Sequence, residues 1–222
     1  MINLFIESVL RGATTLVFPP NCMNCGLPGV DICTECKKVL TPKPRFLHGE
    51  DFRLVSSLFY GEATGKLMLL AKENGYVAAQ KFFATALAIS INHFNLNYPI
   101  SIVPIPSQRK SIRRRGFDSM KEIARFILQD PNLKSKIEIV NLLELTRQVA
   151  DQSSLSERER YQNLDKAFRV KSGIKSKVII VIDDVVTTGS TLREAVRALK
   201  ERNLTVLGAA TACATQRRLA IG

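Results

Sequence analysis

The sequence predicts an α/β fold, in which a mostly parallel sheet is flanked by helices and preceded by a small N-terminal cysteine-containing module. The stretch 177–182 is apolar with no polar alternation, which is typical of a strand that helices cover on both faces. A helical pattern over 191–202 and a second apolar strand over 204–212 complete a β-α-β unit. Four of the five cysteines lie in two C-x-x-C pairs near the N-terminus.

Size and charge narrow the range of functions. A chain of 222 residues suits one medium α/β domain plus a small module, and is long enough to bury a sizeable core. The formal net charge is +12, from 32 Lys and Arg against 20 Asp and Glu. This excess favours a polyanionic partner, either nucleic acid, a phosphorylated ligand or an anionic membrane surface. The alternative is that the charge serves only solubility.

The first residues predict neither a signal peptide nor a membrane anchor. Glu7 and Arg11 interrupt the apolar run, and no basic region precedes it. The uncharged run 12–30 contains three prolines, so it is not an uninterrupted transmembrane helix. We therefore expect an intracellular, cytoplasmic protein without a transmembrane segment.

The cysteine pairs predict a structural zinc site. Seven residues separate the pair at Cys22 and Cys25 from the pair at Cys33 and Cys36, and four thiolates at this spacing can converge on one tetrahedral zinc ion. A disulfide framework lacks a secretory context, and a thioredoxin-like redox pair lacks a strand followed by a helix. All four positions are Cys, which leaves no open coordination position for chemistry. Cys213 stands alone in an apolar stretch and is expected to be a buried small side chain.

The rest of the chain alternates between strand and helix patterns. Prolines, a glycine and mixed charges over 37–52 indicate a linker, so we expect a zinc module at 1–48 and a second domain at 49–222. Strands are predicted at 53–60 and 99–106, and helices at 64–75, 77–93 and 117–129. The stretch 137–145 fits a strand or a helical turn. The polar segment 148–163 is predicted to be mobile. Thr191 and Glu194 match a capping box for the last helix.

The stretch VIIVIDDVVTTGSTL at 178–192 predicts a binding site. Asp183 and Asp184 follow a buried strand, and in parallel sheets ligands bind beyond the carboxyl ends of the strands. The next residues, TTGST, lead into a helix N-terminus, where N–H groups and hydroxyls favour a phosphate. A ribose 5-phosphate fits both parts, because the loop takes the phosphate and the carboxylates accept from two ring hydroxyls. The alternative is that Asp184 caps a turn and the threonines are ordinary loop residues.

These residues resemble the phosphoribosyl diphosphate (PRPP) signature of type I phosphoribosyltransferases. Across nearly the whole chain, the order of motifs resembles that of the ComF family of competence-associated proteins. The matching elements are FPPNCMNC and CTEC around the cysteines, Lys72 in LLAKENGY, VPIP at 103–106, RRRGF at 113–117, a string over 152–168 that includes Gln152, Leu155, Arg160, Asn163, Ala167 and Phe168, and the PRPP signature.

The resemblance implies a type I phosphoribosyltransferase-like fold and a role for each part of the site. Asp183 and Asp184 would hold the ribose hydroxyls of PRPP, and the turn 106–109 would face its diphosphate through Ser107 and Arg109. The segment 147–163 would be a mobile hood over the site. The residues that would cradle the 5-phosphate are Thr187, Thr188, Gly189, Ser190 and Thr191. This chain departs from the family at Asp118 and Ser119, where Asn-Gln is usual.

Chemistry at such a site would be displacement of diphosphate from the anomeric carbon through a transition state with oxocarbenium character. Mg²⁺ would arrive with PRPP and neutralise the leaving group. Catalytic residues stay unassigned, because neither His48 nor His93 lies in a motif with the role of a base. An active phosphoribosyltransferase that moves ribose 5-phosphate to an unknown small acceptor is the alternative function.

A basic cluster follows the strand at 99–106. The run RKSIRRR at 109–115 has five cationic residues in seven, namely Arg109, Lys110, Arg113, Arg114 and Arg115. Such a cluster can hold the diphosphate of PRPP or follow a nucleic-acid backbone, or it can be a solvated charged face. The family resemblance favours single-stranded DNA that enters the cytoplasm in natural transformation, with other DNA-uptake proteins as further partners.

Overall fold

The structure is a computed structural model that describes residues 20–48, 50–147, 164, 166–171 and 178–216. The chain divides into two compact units, Met1–Thr41 and Pro42–Gly222. Within the described ranges, no helix is long and apolar enough to cross a membrane.

The smaller unit is built around the four cysteines. A tight turn begins at Cys22, whose carbonyl accepts from Gly26 N at 2.8 Å, and Gly26 has a positive φ of 80°. Helix α1 (Thr34–Leu40) follows the second cysteine pair and buries Cys36 and Leu40. The turn and the helix therefore place both cysteine pairs together.

The larger unit is organised by a six-stranded sheet with the order β1-β2-β8-β7-β3-β4. All its neighbouring strands are parallel except the edge pair β1–β2, and β5 and β6 form a separate antiparallel pair. The strands are β1 (Arg45–Leu47), β2 (Arg53–Phe59), β3 (Ile100–Pro104), β4 (Ile137–Ile139), β5 (Leu143–Leu145), β6 (Phe168–Val170), β7 (Val178–Val186) and β8 (Thr205–Ala214). The prediction of a mostly parallel sheet is confirmed.

The described residues of this unit form five helices: α2 (Glu62–Lys72), α3 (Val77–Asn92), α4 (Arg109–Arg115), α5 (Ser119–Ile127) and α6 (Ser190–Lys200). Helix α6 packs its apolar stripe, which includes Leu192 and Val196, against Ile179 and Val181 of β7. Helix α3 packs against β2 and β8, with Ser90 Oγ 2.6 Å from Ser57 Oγ. Residues 179–182 of β7 are fully buried, as their unbroken apolar pattern predicts.

Several local predictions need correction. Residues 45–47, which we predicted to be linker, pair with β2 as an antiparallel edge strand. The predicted capping box at Thr191 and Glu194 is wrong, because α6 begins at Ser190 with Gly189 as its N-cap at φ 80°. The stretch 137–145 forms two short strands, β4 and β5. The segment 148–163 lies outside the described residues.

Candidate functional site

Two adjacent carboxylates lie at the carboxyl end of β7, between the ends of β3 and β8. Asp184 N donates to Asp183 Oδ1 at 2.9 Å, which fixes the side chain of Asp183. Burial and the charge of Asp184 together raise the pKa of Asp183 to about 8, against the opposing effect of Lys72. A carboxyl group with such a pKa is largely protonated near neutral pH.

Lys72, the last residue of α2, neutralises the second carboxylate. Its Nζ lies 2.5 Å from Asp184 Oδ2, and the side chains of Lys72 and Asp184 are 28% and 8% exposed. Burial opposes the charged ammonium, but the attraction of Asp184 outweighs burial and the pKa of Lys72 is raised. The sequence singled out Lys72 only through the family resemblance. Its ion pair with a residue 112 positions away leaves no local sequence signal.

The phosphate-loop segment, residues 187–190, connects β7 to α6. Thr188 Oγ1 lies 3.0 Å from Ser190 Oγ and accepts from Ser190 N at 3.4 Å. Gly189 takes the left-handed conformation that turns the chain into α6. The loop therefore presents hydroxyls and a helix N-terminus beside the acidic pair, which is the arrangement that a phosphorylated ribose needs.

Arg193 bonds to this loop and is itself held by Glu50. The sequence did not predict a role for either residue. Arg193 Nη2 donates to Thr188 O at 3.1 Å and to Ser190 Oγ at 3.3 Å. Arg193 Nη1 donates to both carboxylate oxygens of Glu50, at 2.8 and 3.0 Å, and the Glu50 side chain is fully buried. The guanidinium thus joins the loop to the segment before β2.

The turn after β3 reaches the same edge of the sheet. Ile105 N donates to Ile182 O at 2.9 Å, so this turn begins beside the acidic pair. Ser107 Oγ donates to Asp118 Oδ1 at 2.7 Å. Asp118 is also the N-cap of α5, where it accepts from Lys121 N at 3.4 Å. Asp118, where the chain departs from the family, therefore has a structural role, and the adjacent Ser119 is buried.

Helix α4 divides the predicted basic cluster into two groups. Arg115 donates to both oxygens of Glu73, with Nη2 2.7 Å from Oε1 and Nε 3.1 Å from Oε2, and its side chain is only 13% exposed. Arg114, 64% exposed, also pairs with Glu73 at 2.8 Å. The other three cationic residues, Arg109, Lys110 and Arg113, are exposed.

The end of α4 is anchored by a second interaction. Gly116 ends the helix at φ 83°, and the ring of Phe117 packs against Gly75, where an added Cβ would lie 3.2 Å from the ring. Phe117 and Arg115 both hold α4 to the turn between α2 and α3. Arg115 is therefore engaged in the fold, whereas the exposed cations are available to a ligand.

The four cysteines of the smaller unit converge. Their sulfur atoms all lie within 4.8 Å of one another, and the group can hold a metal ion. Cys33 N donates to Cys22 Sγ at 3.4 Å and Asn24 Nδ2 to Cys36 Sγ at 3.2 Å. Donors directed at sulfur suit thiolates, which are the form that binds zinc. Cys213 is buried in the larger unit, and burial raises the pKa of its thiol.

Comparisons with known proteins agree with this architecture. Residues 111–220 match the phosphoribosyl transferase domain family. The chain is 28% identical over 182 residues to the DNA utilization protein YhgH of Escherichia coli strain K12, which aligns 80% of this chain with 77% of that protein. It is 31% identical over 193 residues to Competence protein F of Haemophilus influenzae, which aligns 82% of this chain with 79% of that protein.

Among solved structures, the chain is similar to a hypoxanthine phosphoribosyltransferase from Staphylococcus aureus. The TM-score is 0.37 at 16% identity, and the match covers 64% of this chain and 66% of that chain.

Proposed function

The chain belongs to the ComF family of competence proteins, and from that premise we propose that it handles incoming single-stranded DNA in the cytoplasm during natural transformation. The names of its relatives, a DNA utilization protein and a competence protein, support this role. So do the net charge of +12 and the three exposed cations of α4. These cations offer charge without a geometry for reading bases, so we expect binding with little sequence preference.

The larger unit is proposed to bind PRPP with Mg²⁺. The observation that carries this proposal is that the acidic pair, the phosphate-loop segment and the Ser107 turn meet at one edge of the sheet. Asp183 and Asp184 would accept from the ribose hydroxyls. Residues 187–191 would surround the 5-phosphate at the N-terminus of α6. Ser107 and Arg109 would face the diphosphate.

His93 is not placed to act as an acid or base at the site, for which we propose stabilisation of charge. The ring of His93 contacts that of Phe46 at an interplanar angle of 47°, with centroids 4.7 Å apart. Phe46 belongs to β1, three strands from β7 in the sheet order. At about 4.8 Å per strand, β1 lies roughly 14 Å from β7 across the sheet, so His93, which contacts Phe46, lies away from the acidic pair. If diphosphate leaves, positioning and the nearby cations would supply the rate enhancement.

The four cysteines are proposed to hold one structural zinc ion. The set of four sulfur ligands suits zinc and leaves no position open for a reacting water. In a unit this small, bound metal would replace much of a hydrophobic core.

The test of DNA handling is fluorescence anisotropy with a labelled single-stranded oligonucleotide across a salt series. A triple variant, Arg109→Ala, Lys110→Ala and Arg113→Ala, removes the three exposed cations of α4 that do not pair with Glu73. It keeps Arg114 and Arg115, which do. We expect weaker binding and a shallower salt dependence, by roughly 0.7 in log–log slope for each phosphate that the variant no longer neutralises. Arg125→Ala, an exposed arginine on α5, is the matched control.

Equal affinity and slope in the wild type and the triple variant would contradict the assignment of α4. Release of diphosphate from PRPP, measured with and without DNA, addresses the alternative of an active phosphoribosyltransferase.

A further inference from the structure

The ion pair between Lys72 and Asp184 stands where PRPP is proposed to bind. Asp184 is needed as an acceptor for a ribose hydroxyl, yet its Oδ2 is already occupied by Lys72 Nζ at 2.5 Å. With the Asp184 side chain only 8% exposed, there is little room for a second donor on that oxygen. A ribose that takes this oxygen therefore has to displace the ammonium.

The charges around Lys72 decide where a displaced ammonium goes. Among the described residues, the ion pairs give Lys72 one carboxylate partner, Asp184. The adjacent Glu73 does not compete for it, because both oxygens of Glu73 accept from arginines of α4. Arg115 lies close enough to repel Lys72. A displaced Lys72 thus faces the positive charge of Arg115 on one side and the open site on the other.

Asp183 also attracts Lys72, but its carboxyl group is buried and largely protonated near neutral pH. A displaced Lys72 is therefore neutralised by an incoming anion. The 5-phosphate of PRPP is assigned to the loop at the start of α6, so the anion that remains is the diphosphate on the anomeric carbon. The turn proposed to face this diphosphate begins where Ile105 N bonds Ile182 O, two residues before Asp184 on β7. The side chain of Lys72 is already at this end of the sheet.

We infer that Lys72 is a diphosphate-contacting residue that shields Asp184 in the ligand-free protein and passes to the diphosphate when the ribose takes its place. This inference rests on the proposed PRPP site and adds a residue to it. It makes Lys72 a determinant of specificity: a ligand with a diphosphate replaces the broken ion pair, whereas ribose 5-phosphate breaks the pair and offers no second anion to the ammonium.

The experiment measures the affinity of PRPP and of ribose 5-phosphate, each with Mg²⁺, by isothermal titration calorimetry. The proteins are the wild type, Lys72→Met, Lys72→Arg and the control Lys66→Met, which removes an exposed lysine from the same helix. We expect Lys72→Met to reduce the preference for PRPP over ribose 5-phosphate by about tenfold, as for loss of one charged hydrogen bond. Lys72→Arg should keep most of the preference, and Lys66→Met all of it.

A second comparison covers the case in which Lys72→Met does not fold because Asp184 is left charged. Asp184→Asn with Lys72→Met removes both charges together, and its preference is compared with that of Asp184→Asn alone. If Lys72 only balances the charge of Asp184, the two preferences are equal and the inference is overturned. If Lys72 contacts diphosphate, the double variant shows the lower preference.

The proposed function and the inference fail in different ways. A wild type that binds neither ligand overturns both the PRPP site and the role of Lys72. A wild type that prefers PRPP, together with a Lys72→Met variant that keeps the same preference, overturns the role of Lys72 alone.

Discussion

The hydroxyl of Ser107 donates to Asp118 Oδ1 at 2.7 Å, and this bond ties the turn after β3 to the N-cap of α5. The same carboxylate accepts from Lys121 N and lies 3.7 Å from Lys121 Nζ. Both hydrogen bonds require only an oxygen acceptor at position 118, and neither requires a negative charge. The charge is a disadvantage if the neighbouring turn receives a diphosphate.

Asp118→Asn is therefore expected to strengthen PRPP binding. Asn keeps the oxygen acceptor for Ser107 and is as good an N-cap as Asp, so stability should change little. Removing one negative charge near the anion should raise the affinity several-fold, on the order of 1 kcal/mol, as measured by calorimetry. Asp118→Ala is the contrast, because it loses the cap at a cost of about 1 kcal/mol and frees Ser107. Weaker PRPP binding by the Asn variant would show that the carboxylate itself is required.

Arg193→Ala should affect both stability and the phosphate loop. It removes the guanidinium from the buried carboxylate of Glu50, which by analogy with other buried ion pairs costs about 3 kcal/mol of unfolding free energy. Adding Glu50→Gln should recover much of this stability, because the buried charge is then gone. It should not recover PRPP affinity, since Thr188 O and Ser190 Oγ still lack their donor. Chemical denaturation and calorimetry on the single and double variants separate these effects, and full recovery of affinity would refute the role of Arg193 in holding the loop.

The raised pKa of Asp183 gives the protein a defined dependence on pH. Between the ordinary value of 3.8 and about 8, the folded state retains a proton that the unfolded state has lost. The contribution of Asp183 to stability therefore falls as pH rises through this window and is constant above it. Asp183→Asn should remove this decline, so its stability relative to the wild type should increase from about pH 5 to about pH 8. Urea denaturation at several pH values measures the difference, and a difference that does not change with pH would contradict the assignment.

Freshly purified protein should contain about one zinc ion per chain, held by the four clustered cysteines. Serine at any one of them, for example Cys25→Ser, should lower the zinc content and destabilise the smaller unit while the larger unit still folds. Cys213→Ala is the control, because Cys213 lies in the larger unit and should leave the zinc content unchanged. Elemental analysis before and after chelation provides the measurement. Protein that lacks zinc from the start and does not change on chelation would exclude a structural zinc site.

The features that could be predicted from the sequence are those determined by residues close together in the chain. The unbroken apolar run of β7 predicts its burial on both faces, and the two aspartates with the following loop predict where a phosphorylated ribose would bind. The cysteine spacing likewise predicts the cluster. Each of these signals is local. The burial of β7 and the cysteine cluster are confirmed, and the ribose site stays a prediction.

What could not be predicted depends on residues far apart in the chain. Neither the Lys72–Asp184 pair nor the Glu50–Arg193 pair has a local signal, because the partners meet only when the sheet forms. Helix α4 was not predicted, since its charged residues mask any apolar period and none of its residues is buried. The capping-box pattern predicted that Glu194 caps the start of α6, but Glu194 instead accepts from Arg197 Nε at 2.6 Å.

The position of β8 in the sheet has a consequence for how the chain folds. This strand comes last among the described strands but lies between β2 and β7, and its Ala209 pairs with both Leu54 and Val181. During synthesis, β2 has no parallel neighbour until β8 emerges from the ribosome, and pairing between such distant segments forms slowly. One edge of the apolar strand β2 therefore stays unpaired during most of translation. In this period a chaperone would give the most protection against aggregation.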